Sequence, residues 1–468
     1  MILNAVIRVL NCLIVIGNFL WGKPMIIFLC IVAIIYTIGV KGFQFSYLRH
    51  IFRNTFGKKL FGVKTSNKGI SSFKALCMAL SNTLGVGNIA GVAMAIALGG
   101  PGAVLWIWIA ALLALVIKYA EITLGVKYRE IDPNTGVYRG GFMFYVKNGL
   151  GKKWTWIAIA YAGLNTVAYI NAPGVQINTI ASSVTTYLDV PPLAIGIVCA
   201  ILLGIVLIGG VNRVSSFAEK VVPAMTIAYC VMTLIVLVLN ITAIPHAFAI
   251  IFKYAITDAK AIAGGFGGAT VALALRYGLA RGFYSNGAGT GDSPMAHASA
   301  DVDHPCKQGI WGISEVIVDV IVCTCTALVI LVTGVWQTGK SGAALTASAF
   351  ATAFHSEALG NILIMIIIIF FAFTTAVVCA YYGETCLKYF TLNSKIITFY
   401  RLLICVAVAF DTNPIFVDKL NILWGVGDFN VAIAIMLNLI VLVVLRKEVF
   451  ASTEEYKELV SGRVKEYM

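Results

Sequence analysis

Apolar residues along this chain gather into runs long enough to cross a bilayer. Eleven such segments stand out, at about 21–40, 75–98, 102–126, 154–187, 193–210, 218–242, 263–297, 308–334, 359–387, 396–411 and 420–445. As a helix rising 1.5 Å per residue, the run from Ala75 to Leu98 reaches roughly 36 Å, against a hydrocarbon core of ~30 Å. In its middle lies a polar, glycine-rich knot, Ser81-Asn82-Thr83-Leu84-Gly85-Val86-Gly87-Asn88-Ile89-Ala90-Gly91. Each glycine there costs about 1 kcal/mol against alanine in a helix. Asn82, Thr83 and Asn88 bring polar groups to a depth where hydrocarbon cannot solvate them. One reading makes Gly87 and Gly91 a small-residue packing face. The other makes the stretch a helix break, which membranes tolerate only where the freed backbone is buried in protein or lines a wet cavity.

A second stretch bears on that choice. Setting the first segment aside leaves ten, five and five, and the first of each five carries an interruption. The later one reads Arg281-Gly282-Phe283-Tyr284-Ser285-Asn286-Gly287-Ala288-Gly289-Thr290-Gly291-Asp292-Ser293-Pro294. Four glycines and a proline oppose a continuous helix. Gly264, Gly265, Gly267 and Gly268 just before it mark a turn or a tight helix entry. Two broken helices at matching places in two oppositely oriented halves are the pattern of an inverted-repeat secondary transporter. The resulting organisation is an interfacial N-terminal segment 1–20, an extra helix and basic cytoplasmic loop 21–74, a first five-helix repeat 75–242, a second 263–446 and a cytoplasmic tail 447–468.

Composition fits a polytopic membrane protein. Of 468 residues, 60% are hydrophobic and 12% charged, and mean hydropathy is +0.91, where a soluble domain carries about 25% charged residues. The formal charge of +13 is mainly a topology signal rather than a nucleic-acid footprint. The loops of one side hold 24 of the 34 Lys and Arg residues and those of the other hold six, which places the N-terminus outside and the C-terminus in the cytoplasm. The eleven cysteines are odd in number and lie mostly within apolar segments, so neither a disulfide framework nor a metal cluster is implied. Gly334-Val335-Trp336-Gln337-Thr338-Gly339-Lys340-Ser341 matches the phosphate-loop pattern, but it follows a membrane segment instead of a strand and is set aside. No nucleophile and base stand together, so the chain reads as a non-enzyme.

Several polar residues within the segments admit two readings. Lys118 and Glu121, three apart, form a structural pair or a proton relay. Glu315 and Asp319 share a helix face, and Asp319 lies the deeper. Gln176, flanked by Asn171 and Asn178, is a solute ligand or an interhelical hydrogen-bond donor. Thr374 and Thr375 bond their own helix or offer hydroxyls to a hard cation. Asp292 either caps the following helix, with Ser293-Pro294 as its start, or carries a charge needed at the break.

Gly99-Gly100-Pro101-Gly102-Ala103 through Trp106, Trp108, Lys118, Ala120-Glu121 and Lys127-Tyr128-Arg129 resembles the signature of the alanine or glycine:cation symporters. So do Ser81–Gly91, Arg281–Ala300, Tyr381-Tyr382-Gly383-Glu384, and Trp424 through Asp428 to Asn438. The resemblance covers nearly the whole chain. It implies an all-α LeuT-type fold of about 11 transmembrane helices, five plus five with one extra N-terminal helix, in the plasma membrane. It further implies sodium-coupled import of a small neutral amino acid, alanine or glycine. On that resemblance the Val86 and Gly87 amides receive the substrate carboxylate. Carbonyls near Thr83, Tyr284 and Ser285 and the Thr375 hydroxyl meet the amino group. Gln176 acts as a side-chain ligand and Tyr284 as an aromatic lid. The sodium ion is expected at carbonyls of Ser81, Leu84 and Phe371 and the hydroxyls of Thr374 and Thr375. The family usually has Glu where Gly287 stands and a small residue where Asp292 stands. Proton coupling is the alternative within transport, and a non-transporting sensor or channel the alternative outside it. The sequence leaves the amino acid and its enantiomer, the ion stoichiometry and the oligomeric state open, a monomer included.

Overall fold

The computed structural model describes residues 12–17, 19–57, 66, 68–257, 271–412 and 420–462, with only the backbone at 420–426. Most of the proposed interfacial segment, the four glycines at 264–268, Arg8, Lys260 and Lys419, and the Trp424 side chain lie outside the described residues.

The main helices are α1 (Lys23–Gly39), α2 (Ser72–Thr83), α3 (Val92–Gly99), α4 (Ala103–Lys127), α5 (Thr155–Thr185), α6 (Pro192–Leu207), α7 (Gly210–Leu239), α8 (Ile244–Ile256), α9 (Val271–Asn286), α10 (Ser293–His297), α11 (Pro305–Val332), α12 (Gly342–Ala353), α13 (Glu357–Phe390), α14 (Ser394–Asp411) and α15 (Leu420–Val460). Among the described residues five single helices are long and apolar enough to cross a membrane, and the bent pair α2–α3 makes a sixth. The starts follow local chemistry. Ser71 Oγ accepts from the Lys74 amide at 3.2 Å ahead of α2, and Asn393 Oδ1 accepts from the Lys395 amide at 3.0 Å ahead of α14, each satisfying an orphan donor. Pro173 and Pro223 sit inside α5 and α7, and neither ends its helix.

Burial is sorted by helix face. On α1, Leu29, Val32, Ala33 and Tyr36 are buried while Ile27, Ile31, Ile34 and Ile38 are exposed, Ile38 to 72%. Both faces are apolar, so the exposed one suits lipid and not water. Helix α4 packs against α9 and α11, and α5 against α13. Glycine makes the α4–α9 contact close. A Cβ on Gly278 would stand 2.4 Å from the Ala103 carbonyl oxygen, and one on Gly282 2.5 Å from Ala110 Cβ. Small residues thereby let two membrane helices approach backbone to backbone.

Two features of the connecting segments are not in the apolar pattern. Glu130–Ile131 and Tyr138–Arg139 form a short antiparallel hairpin, in which Arg139 Nη2 donates to Glu130 Oε2 at 3.1 Å. Just ahead of α2, Ile70 pairs in parallel with Ala300, beyond α10. The Ile70 amide donates to the Ser299 carbonyl at 2.9 Å, and the Asp301 amide donates to the Ile70 carbonyl at 2.8 Å. Arg129 secures the same segment by donating to the carbonyls of Ala300 and Val302.

Candidate functional site

The first glycine-rich knot is a break: the axes of Ser72–Thr83 and Gly87–Gly99 differ by 51°. Leu84 leaves helical geometry, with φ −86° and ψ 82°, and Gly87–Gly91 resumes as a single π turn. Asn88 replaces what the interrupted ladder loses, since its Oδ1 accepts from the Gly85 amide at 3.0 Å. The first amides of a resumed helix lack intrahelical partners, and the positive end of its dipole lies there.

The second interruption separates α9 from α10. Gly287, Gly289 and Gly291 have φ of +59°, +85° and +78°, the left-handed region that L side chains rarely enter. Asn286 Oδ1 accepts from the Ala288 amide at 2.9 Å, and Asn438 Nδ2 donates to the Gly289 carbonyl at 2.8 Å. The two breaks meet through one buried network. Asn88 Nδ2 donates to Ser285 Oγ at 3.0 Å and to Asp319 Oδ1 at 2.6 Å, and Ser285 Oγ donates to the same Asp319 oxygen at 2.7 Å.

Between the breaks lies a cavity of about 290 Å³, and Thr83, Val86, Gly87, Gln176, Tyr284, Ser285 and Thr375 all line it. Gln176 Oε1 is buried without a hydrogen-bond donor, which leaves an acceptor for a ligand. Of the five residues expected at sodium, only Thr375 lines this cavity; the others stand behind it. The Thr375 hydroxyl is 2.8 Å from the Ser81 carbonyl and 2.9 Å from that of Phe371. Thr374 Oγ1 bonds the Phe370 and Phe371 carbonyls of its own helix, each at 3.0 Å. Ser81, Phe371, Thr374 and Thr375 therefore form a compact, uncharged oxygen set of the kind a monovalent cation takes. Leu84 stands at the kink beside it.

Other wall residues went unassigned in the sequence reading. Trp21 lies 5.4 Å from the Tyr284 ring and donates through Nε1 to the Asp428 carbonyl at 2.9 Å. Asn430 Nδ2 donates to Asn165 Oδ1 at 3.1 Å. Trp21, Asn165, Asp428 and Asn430 all line the cavity. Asn165 is polar within an apolar run, and Asp428 and Asn430 fall between Trp424 and Asn438.

Asp292 also lines the cavity. It holds the N-cap position of α10, yet its side chain caps no amide; Oδ1 accepts from the Tyr161 hydroxyl at 3.2 Å instead. The capping expectation is corrected accordingly: Asp292 has helical φ and ψ, whereas a side-chain cap uses extended backbone. Lys118 and Glu121 are paired at 3.7 Å, but Glu315 is closer, at 3.0 Å from Lys118 Nζ. Lys118 also donates to Ser293 Oγ.

Residues 7–467 match the family model described as the sodium:alanine symporter family. The transporter YflA of Bacillus subtilis is 38% identical over 450 residues, covering 94% of this chain and 92% of that one. The sodium/alanine symporter AgcS of Methanococcus maripaludis is 34% identical, covering 96% of this chain and 98% of its own. A sodium/proton-dependent alanine carrier protein of Bacillus strain PS3 is 35% identical over 84% of this chain and 90% of its own. Among solved structures, MhsT in complex with L-phenylalanine superposes with a TM-score of 0.58 at 14% identity, over 83% of this chain and 93% of that one. That likeness is one of fold, the LeuT-type fold.

Proposed function

This chain belongs to the sodium:alanine symporter family, and from that premise we propose that it imports alanine, glycine or a similar small neutral amino acid, driven by sodium, by alternating access. The observation that carries this reading is the cavity walled by both helix breaks. The Val86 and Gly87 amides hold the substrate carboxylate at the positive end of the resumed helix. The amino group meets carbonyls near Thr83, Tyr284 and Ser285 and the Thr375 hydroxyl. Gln176 accepts a further bond, and Tyr284, backed by Trp21, covers the substrate.

Sodium binds among the carbonyls of Ser81, Leu84 and Phe371 and the hydroxyls of Thr374 and Thr375. Thr375 belongs to both sets, so filling one orders a wall of the other. That shared residue is a physical source of coupling free energy between ion and solute. The N-terminus faces outside the plasma membrane and the C-terminus the cytoplasm, with residues 75–242 and 263–446 as the inverted halves. Asp319, buried between the two breaks, favours proton coupling as the second reading.

Labelled alanine uptake into vesicles tests the proposal. An inward sodium gradient is expected to drive accumulation above equilibrium. Accumulation under a proton gradient with sodium absent replaces sodium with protons, and mere equilibration under either gradient refutes symport.

A further inference from the structure

Taking the cavity as an amino-acid site, we propose that Asp292 adapts it to amino acids whose side chain ends in a cation, such as ornithine, beside the small neutral ones. Asp292 stands on the cavity wall where the second turn re-enters helix. Its backbone is occupied: the amide donates to Thr290 Oγ1 at 3.3 Å and the carbonyl accepts from the Met295 amide at 2.8 Å. Its carboxylate is held by neutral hydroxyls, that of Tyr161 at 3.2 Å and those of Tyr169 and Thr290.

The ammonium that acts on Asp292, that of Lys118, is shared with other carboxylates. Lys118 Nζ lies 3.0 Å from Glu315 and 3.7 Å from Glu121, so two carboxylates already share one ammonium. His297 Nε2 faces Glu315 Oε2 at 3.3 Å. No Lys, Arg or His is among the described residues lining the cavity. The other lining carboxylate, Asp428, sits on the wall of Tyr284, whose ring has the Arg281 guanidinium 5.6 Å from its centre. A carboxylate withdrawn from water, bonded to neutral hydroxyls and facing an ammonium that two other carboxylates share, is under-compensated, and a cation that arrives with the ligand relieves that cost.

The space agrees with the charge. The cavity, about 290 Å³, has room for an amino acid with a longer side chain than that of alanine. Gly287 keeps this part of the wall free of a side chain; a Cβ there would stand 3.8 Å from Lys118 Nζ.

The test uses the full-length protein in proteoliposomes, with sodium-driven uptake of labelled alanine competed by ornithine, norvaline and glutamine. Norvaline has the ornithine side chain without its amine, and glutamine offers neutral N–H donors. Ornithine is expected to compete in the wild type. Asp292→Asn is expected to weaken ornithine relative to norvaline by about tenfold or more, and Asp292→Glu to retain most of the preference. Stabilisation of each purified variant by ornithine over norvaline, read by thermal unfolding, reports folding and binding where uptake is lost. The inference is overturned if ornithine neither competes nor stabilises, or if Asp292→Asn shifts ornithine and norvaline equally. It is also overturned if the ornithine preference follows Asp428→Asn instead, or if only glutamine responds to Asp292. A wild type that accumulates alanine but ignores ornithine sinks this inference alone; one that accumulates no alanine sinks the symport reading, and the stabilisation ratio then decides the role of Asp292.

Discussion

Asn88→Ala is the sharpest test of how the two breaks are held together. The fully buried Asn88 side chain accepts from the Gly85 amide and donates to Ser285 and Asp319. Alanine removes a bond to a carboxylate, worth about 1.5–3 kcal/mol, and leaves the Gly85 amide with its 3.2 Å bond to the Thr83 carbonyl. Unfolding entropy of about 2.1 cal/mol/K per residue over 468 residues makes one kcal/mol worth about 1 °C. The variant is therefore expected to unfold about 1.5–3 °C below wild type, measured by thermal unfolding in detergent. Asp319→Asn supplies the second arm of a double-mutant cycle, and residues in one network should couple by about 1 kcal/mol or more. An unfolding temperature within a degree of wild type, or strictly additive losses, refutes the claim that this network joins the breaks.

The remaining expectations concern the ion, the pocket and the scaffold. Thr374→Ala with Thr375→Ala should nearly abolish sodium-driven uptake while the protein stays folded; transport with unchanged sodium dependence moves the ion elsewhere. Ala172 lines the cavity one turn before Gln176, so Ala172→Phe should narrow it and favour glycine and alanine over larger side chains. A size preference identical to wild type removes this face of α5 from substrate contact. Gly282→Val places its Cβ 2.5 Å from Ala110 Cβ and should destabilise by at least about 1–3 kcal/mol through overpacking, with Ala110→Gly restoring part. Wild-type unfolding of the single variant would mean that α4 and α9 part without cost.

Much of this architecture was legible because the membrane writes it in large letters. Hydrocarbon cannot hydrate a backbone, so runs of apolar residues delimit helices, and clustered glycines with Asn and Thr mark where a helix gives way. The helices found at Ala103–Lys127, Thr155–Thr185 and Pro305–Val332 follow the predicted segments 102–126, 154–187 and 308–334 closely. Long-range partnership was not legible. Lys118 and Glu121 are neighbours by spacing, but Glu315 comes from another helix 197 positions away, and no local pattern reports it. Trp21 reaches the cavity from the leading segment for the same reason. Asp292 misled because its neighbours Ser293 and Pro294 look like a helix start, while cap geometry depends on the preceding backbone angle, which the glycines of the turn set. The hairpin at Glu130–Arg139 has strands of two residues each, too short to leave a periodic signal.

The pairing of Ile70 with the segment around Ala300 is written entirely in main-chain atoms. Replacing either side chain leaves both amides and both carbonyls where they were. Drift at Ile70 or Ser299 leaves this main-chain pairing in place, while Arg129 and the Asp301 carboxylate, which accepts from the Ser66 amide, are the side chains that add to it. Proline alone deletes a donor there, at residue 70 or at residue 301. The joint ties the residues leading into the first broken helix to those leaving the second. Whatever displaces one of these two segments therefore carries the other with it.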